Sequence, residues 1–456
     1  MSVLNIPEFG NQFGQACSLQ TGPETPFLSR LSALVIKDCN DLKSLQGIME
    51  HSAYLGRLVI KGCDSLTSIA EGQLPSSLKR LEISSCKNLQ CLLNGSEDSN
   101  HSNASLVEYL YVSQCPALES LSSRVQLSET LQHLEIQHCK RLKTLGQLAE
   151  TLKHLETKTC HKLESLSSSG QLPNSLEHLS IYDCGNLSST GQLPASLQHL
   201  EIKNCSKLTS LSSGQLPAPL KYLKISSCQS LISIADSLQN LSNLREIDIF
   251  FCPSLDSFPA DGLPNSNLTI LSIQYCYKLV ALPSFMHTLN SLKELNILNN
   301  INLVSLSSFP QQGFPSSLTS LSITGLQFYQ VMKRLHKLTS LISLHISGCQ
   351  DAMSFPEETK AIILPTCLTR LTLDNFVMLE SLSPKGFRNL TSLEYLSISK
   401  CPALTSLPKE GLLSSILELH ISECSQLKDY CLRNRERHKS EMANIPYVKI
   451  DGKFIH

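Results

Sequence analysis

The sequence predicts an α/β solenoid: a horseshoe with a parallel β-sheet on its concave face, and turns with short 3₁₀ or helical pieces on its convex face. Three observations predict it: an apolar unit that recurs about every 24 residues, a cysteine at one fixed place in most copies, and a composition suited to an aliphatic core. The unit reads LxxLxIxxCxxLxSL. Its clearest copy is Leu197, Leu200, Ile202, Cys205, Leu208, Leu211, which returns as Leu220, Leu223, Ile225, Cys228, Leu231, Ile234. Copies start at 31, 55, 78, 107, 131, 152, 176, 197, 220, 244, 268, 292, 318, 341, 368, 393 and 416.

Period and pattern together are those of a leucine-rich repeat. The segment xLxIx alternates polar and apolar residues, which makes it a short strand with one buried face. Successive strands stack in parallel about 4.8 Å apart. Four Gln-Leu-Pro segments (residues 73–75, 171–173, 192–194 and 215–217) open later units, and proline there favours an extended return over a long helix.

Hydrophobic residues make up 41% of the 456-residue chain, but aromatics only 5% with no Trp, so leucine and isoleucine must fill the core. Fourteen of the 18 cysteines (39, 63, 86, 115, 139, 160, 184, 205, 228, 252, 276, 349, 401 and 424) share one place in the unit. They read as a ladder of small buried thiols after each strand. A CxxC with a following His pair does not occur, so zinc lacks its usual spacing. Asn300 and Phe376 replace the cysteine in their units, and Thr157 replaces the inner Ile of its strand. The net charge of −1 gives no reason to expect nucleic acid as partner. No run of eighteen apolar residues suggests a membrane span, and the first residues lack a secretory pattern, so a cytoplasmic location is expected.

Residues 1–27 carry no repeat and are read as a poorly ordered segment, 28–430 as the repeat domain of about 17 units, and 431–456 as a C-terminal cap. Polar residues 94–105 read as an exposed loop, and 327–337 as a bulge or short helix.

Outward side chains lie at the third, fifth and seventh positions of each unit. The third gives Arg57, Arg80, Tyr109, His133, His154, His178, His199, Tyr222 and Glu246; the fifth gives Glu82, Tyr111, Glu135, Glu156, Ser180, Glu201, Lys224 and Asp248. Tyr182, Phe250 and Tyr275 are read at the seventh. The candidate ligand face is therefore Arg80, Glu82, Tyr109, Tyr111, His133, Glu135, His154, Glu156, His178, Tyr182, His199, Glu201, Tyr222 and Phe250. The four histidines in a row also have a plain origin, since LQHLEI, LKHLET, LEHLSI and LQHLEI look like recent duplicates. A neighbouring glutamate would raise a histidine's pKa. A metal is not expected on this row, nor any cofactor.

The Cys-type unit with GLP or QLP linkers and the closing Ile445, Pro446, Ile450 and Asp451 resembles the C-terminal repeat domain of plant NB-LRR disease-resistance proteins of the coiled-coil, RPP13-like type. The resemblance covers about 28–456. It implies a module that detects pathogen effectors or modified host proteins, and that contacts the nucleotide-binding domain of the same or another receptor chain. The phosphate loop of such receptors is absent from this sequence, so nucleotide binding is not expected.

Two other readings stay open. An extracellular repeat protein, whether receptor ectodomain or cell-wall enzyme inhibitor, would show Asn after the strand where this chain shows Cys. A ubiquitin-ligase substrate receptor would carry an F-box-like helical segment. No phosphate loop, HExxH, GxSxG or kinase motif set points to an enzyme.

Overall fold

The computed structural model describes residues 3–6, 31–71, 74–94, 106–121, 128–211, 215–303, 313–324, 335–356, 363–408, 415–435 and 445–455. The chain forms two compact units, residues 1–236 and 237–456.

In the first unit, strand β1 (Val3–Ile6) lies within the segment that carries no repeat. It is followed by nine five-residue repeat strands: β2 (Ala33–Lys37), β3 (Arg57–Lys61), β4 (Arg80–Ser84), β5 (Tyr109–Ser113), β6 (His133–Gln137), β7 (His154–Lys158), β8 (His178–Tyr182), β9 (His199–Lys203) and β10 (Tyr222–Ser226). Each pairs in parallel with the next, without slippage. Every repeat strand of this unit begins two residues after the first apolar residue of its repeat, a leucine except at Val107, as the alternation requires. The second and fourth residues of each strand are buried. A one-residue slip would turn this apolar face to water, and that fixes the register.

The second unit repeats the arrangement with eight five-residue strands: β11 (Glu246–Phe250), β12 (Ile270–Gln274), β13 (Glu294–Leu298), β14 (Ser320–Thr324), β15 (Ser343–Ser347), β16 (Arg370–Asp374), β17 (Tyr395–Ser399) and β18 (Glu418–Ser422). Strand β19 (Tyr447–Ile450) adds in parallel to β18, and β20 (Lys453–Phe454) returns antiparallel to it. Helix α1 (Ser425–Arg435) precedes β19 and begins six residues earlier than the charged CLRNRERHKSEM run. Lys428 Nζ lies 2.6 Å from Asp451 Oδ2, tying that helix to the end of β19.

Just past the repeat strands, wherever the next residue is among those described, the chain turns inward by one device. A single residue adopts the left-handed conformation, with φ of 52–57° in the non-glycine cases, and the ladder position follows it. Thirteen of the ladder thiols donate to the carbonyl two residues back, at 3.1–3.7 Å. All fourteen are buried. Burial pushes the Cys63, Cys139, Cys160, Cys205, Cys276 and Cys349 thiols up to about 12, so they stay protonated and unreactive.

The replacements in the ladder have specific partners. Asn300 Oδ1 accepts from the Cys276 backbone N–H at 2.8 Å, and its Nδ2 donates to the Ile273 carbonyl at 2.8 Å. Phe376 packs edge-on to Phe355 at 5.9 Å between centroids, and Phe355 meets Phe387 at 6.1 Å. Thr157, fully buried in β7, places Oγ1 3.6 Å from Cys184 Sγ.

On the return side the prolines close turns. The carbonyls of Pro75, Pro173, Pro194 and Pro217 accept from the N–H of the first leucine of the unit, Leu78, Leu176, Leu197 and Leu220. Before Leu78, Leu176 and Leu197 a serine reaches back one turn. Ser77 Oγ donates to Leu55 O (3.0 Å), Ser175 to Leu152 O (2.7 Å) and Ser196 to Leu176 O (2.7 Å). Helical pieces between described strands are short, as expected: Gln46–His51, Met286–Thr288, Leu335–Lys337 and Pro384–Phe387. The loop read over 94–105 begins at Leu93–Asn94, which pairs with Ala70–Glu71, while 95–105 lies outside the described residues. Of the segment read as a bulge or helix, only the Leu335–Lys337 turn is described.

Candidate recognition face

The outward positions of the first unit form two registered rows. Backbone pairing places Arg80, Tyr109, His133, His154, His178, His199 and Tyr222 side by side, with Glu82, Tyr111, Glu135, Glu156, Ser180, Glu201 and Lys224 as the parallel row. The first row is a continuous stack. The Arg80 guanidinium sits 3.8 Å over the Tyr109 ring, Tyr109 stacks on His133 at 4.5 Å, and His133 stacks on His154 at 4.2 Å with 5° between planes. The remaining rings, His178, His199 and Tyr222, continue at 5.7–5.9 Å with larger tilts. Tyr182, on the seventh-position row, lies beneath the Lys158 ammonium at 5.3 Å.

The charges on this face are largely answered within it. Glu82 takes both Arg57 (2.9 Å) and Arg80 (2.5 Å). His133 Nε2 lies 3.8 Å from Glu135 and His199 Nε2 lies 3.6 Å from Glu201. Each glutamate pulls its histidine upward as expected, but the net shift is downward. Burial in the ring stack outweighs the carboxylates, and both His133 and His199 are lowered. His154, with no carboxylate among its influences, is lowered to about 4 by burial and then by the charges of His133, His178 and His199. Burial, followed by the nearby Glu135 charge, raises Glu156.

A pH dependence follows. The unfolded chain protonates His154 near 6.5, whereas the folded chain resists until about 4. Folding stability is therefore fully present above pH 6.5 and falls progressively between 6.5 and 4. For a half-exposed ring, solvent screening limits the loss to roughly 1 kcal/mol. The raised Glu156 acts in the opposite sense at the acid end of that window. His154→Gln should flatten the slope of urea midpoint against pH between 7 and 4.5; an unchanged slope would refute this account of the stack.

Phe250 and Tyr275 belong to the second unit. Tyr275 does not occupy the seventh position, which is Gln274; it is the left-handed residue one step on, with φ 56°. It nonetheless meets Phe250 edge-on at 5.3 Å. Sequence reasoning missed a further cluster on the second unit's outward face. There Arg370 lies over the Tyr395 ring at 5.3 Å, Tyr395 Oη is 3.2 Å from His420 Nδ1, and His420 Nε2 is 2.7 Å from Glu418 Oε1. Their third and fifth unit positions were the available signal.

Among the described residues no group of three or more His, Cys, Asp or Glu is arranged to hold a metal ion. No helix among them is long and apolar enough to cross a membrane.

Comparison with known proteins points to one class of repeat. The family model "Plant disease resistance protein RPS2-like, leucine-rich repeats" matches residues 11–145. The putative disease resistance protein At3g14460 of Arabidopsis thaliana is 33% identical over 201 residues, covering 43% of this chain and 14% of that protein. Disease resistance protein RPS6 of the same plant is 30% identical over 213 residues, covering 43% of this chain and 18% of that protein. The chain thus spans less than a fifth of the length of these relatives. A leucine-rich-repeat protein of Leptospira interrogans, LIC12759, aligns over 98% of this chain and 92% of its own, with 18% identity and a TM-score of 0.33. The repeats are similar to those of plant disease-resistance proteins and fit the repeat domain of that class, as the Cys-type unit and the closing IP-x-x-x-ID segment implied.

Proposed function

We propose that this leucine-rich-repeat array is the protein-recognition part of a cytoplasmic plant immune receptor, and that it engages a pathogen effector or an effector-modified host protein through the outward face of the sheet. The chain in this reading carries out no reaction of its own, and nucleotide-dependent signalling belongs to a domain that it contacts. The observation that supports the placement is the ring row from Tyr109 to Tyr222. Half-buried rings held against one another lose little freedom on binding, and Tyr and Arg dominate interface hot spots. The fixed rows also let successive repeats vary their outward residues without disturbing the core.

The test is a set of single replacements at Tyr109, His154, His199 and Tyr222 by Ala. Each is expected to weaken partner capture by about tenfold or more while the circular dichroism spectrum stays unchanged. Undiminished capture by all four would place the recognition surface elsewhere.

A further inference from the structure

The second unit carries an acid that repetition does not explain. The last residue of each repeat strand faces outward and is elsewhere Lys, Ser, Gln, Tyr, Phe, Leu or Thr, but β16 ends in Asp374. Backbone pairing sets Asp374 in one row with Thr324, Ser347 and Ser399, the last residues of β14, β15 and β17. Both neighbours donate to it: Ser347 Oγ to Oδ2 at 2.9 Å, and Ser399 Oγ to Oδ1 at 2.6 Å. The carboxylate is thus half-buried and held from both sides.

These bonds leave its charge unanswered. Among the described residues no lysine or arginine forms an ion pair with Asp374. Lys400, next to Ser399, is exposed and forms none. Arg370 begins the same strand, about 13 Å away along it, and lies over the Tyr395 ring. That separation exceeds the screening length of about 8 Å at physiological salt.

The groups around the carboxylate offer lone pairs. A serine hydroxyl has one proton, and Ser347 and Ser399 have spent theirs on Asp374, so each oxygen keeps its acceptor sites. His345 lies two residues before Ser347 on the outward side of β15, and Asp374 is the charge that acts on it. Its Nε2 is shielded from water and has no hydrogen-bond partner. Burial lowers the His345 pKa, which keeps the ring neutral at neutral pH. No bond fixes its tautomer, so Nε2 is free to serve as an acceptor. Thr324 Oγ1, in the same row, is likewise shielded and unpartnered. Such atoms are rare in folded proteins and cost free energy until a partner supplies the bond.

This combination selects its ligand. An anion is repelled, and a sugar hydroxyl leaves the carboxylate's charge unmet. A guanidinium presents its donors in one plane, whereas these acceptors come from separate strands on either side of the carboxylate. An ammonium carries three donors and no acceptor around a compact charge. We propose that Asp374, with Ser347, Ser399, His345 and Thr324 around it, forms a seat for the ammonium of a lysine side chain on a protein partner. The site shares no residue with the ring row of the first unit and does not rest on that reading.

The experiment uses the full chain and three blocked amino acids: Nα-acetyl-lysine amide, its Nζ-acetylated form, and Nα-acetyl-arginine amide. Saturation-transfer NMR reads their binding, since a single seat of this kind holds an isolated side chain weakly. The blocked lysine is expected to receive saturation, most strongly at the methylene beside Nζ, and less at high salt. The other two should receive far less. Asp374→Asn, which keeps the shape and removes the charge, should cut the lysine signal by about fivefold or more. Ser399→Phe should also cut it by covering the carboxylate, and the row already accepts a phenylalanine at Phe250. Circular dichroism checks that both variants are folded. No transfer to the blocked lysine, equal transfer to either of the other two, or an unchanged lysine signal in both variants would each overturn the proposal. Tyr109→Ala should leave the signal intact; its loss there would move the seat to the first unit and overturn the proposal as well.

Discussion

Restoring the repeat pattern at residue 376 is expected to destabilise the protein. Phe376→Cys returns the ladder residue found in fourteen other units, yet it removes a fully buried ring that packs against Phe355, which in turn packs against Phe387. Large-to-small changes of this kind lose the transfer free energy of the deleted atoms and leave a cavity that the surroundings only partly fill, for a total of about 3 kcal/mol. The neighbouring turns are rich in buried aromatic surface, so their backbone cannot close over the gap as a leucine-lined site might. The urea midpoint of the variant should fall accordingly. A midpoint equal to or above the parent's would show that the three phenylalanines do not act as a packed cluster.

The second large effect concerns Asn300. Its side chain accepts from one buried backbone N–H, on Cys276, and donates to one buried carbonyl, on Ile273. Asn300→Leu preserves size but leaves both groups without a partner, at a cost of about 1–3 kcal/mol for each. Asn300→Cys should be milder, because Cys424 stands in the same place one turn after Cys401: its sulfur accepts from the Cys401 N–H at 3.3 Å, and its single S–H, 3.1 Å from the Ser422 O, also lies 3.6 Å from the Ile398 O. Thermal melting of the two variants side by side decides the matter. A Leu variant as stable as the Cys variant would mean that the bridging bonds contribute nothing.

These two positions show what was legible in the sequence and what was not. Strand positions, register and outward rows follow from the alternation in units such as Leu197–Cys205, because burial of the second and fourth strand residues leaves no other register. The thiol ladder follows from the same spacing. The left-handed residue before each ladder position left no trace, since Asp38, Ser85, Thr159, Phe251, Tyr275 and Lys400 all occupy it and share no chemical type. Tyr275 was misplaced by one position for that reason. The histidine row was legible as a row, but the sign of its pKa shift depends on how deeply the rings bury one another, as at His133 and His154, and sequence spacing does not carry that. The Arg370, Tyr395 and His420 cluster occupies positions the pattern marks as outward, but it draws no attention without an eye-catching run such as the four histidines.

The serines that hook several turns to the one before have an evolutionary consequence. Ser175 and Ser196 each bond a carbonyl of the preceding turn, and the proline turns at Pro173 and Pro194 close in the same way. A turn of this kind therefore presents its successor with the same acceptors that it took from its predecessor. Unequal recombination that inserts or deletes one such copy joins chemically equivalent ends, and the array gains or loses one outward row without new packing having to be invented. Each added copy brings its own repeat and interface stabilisation with it, so a recognition surface can lengthen, shorten or be reshuffled by changes in copy number as well as by point mutation.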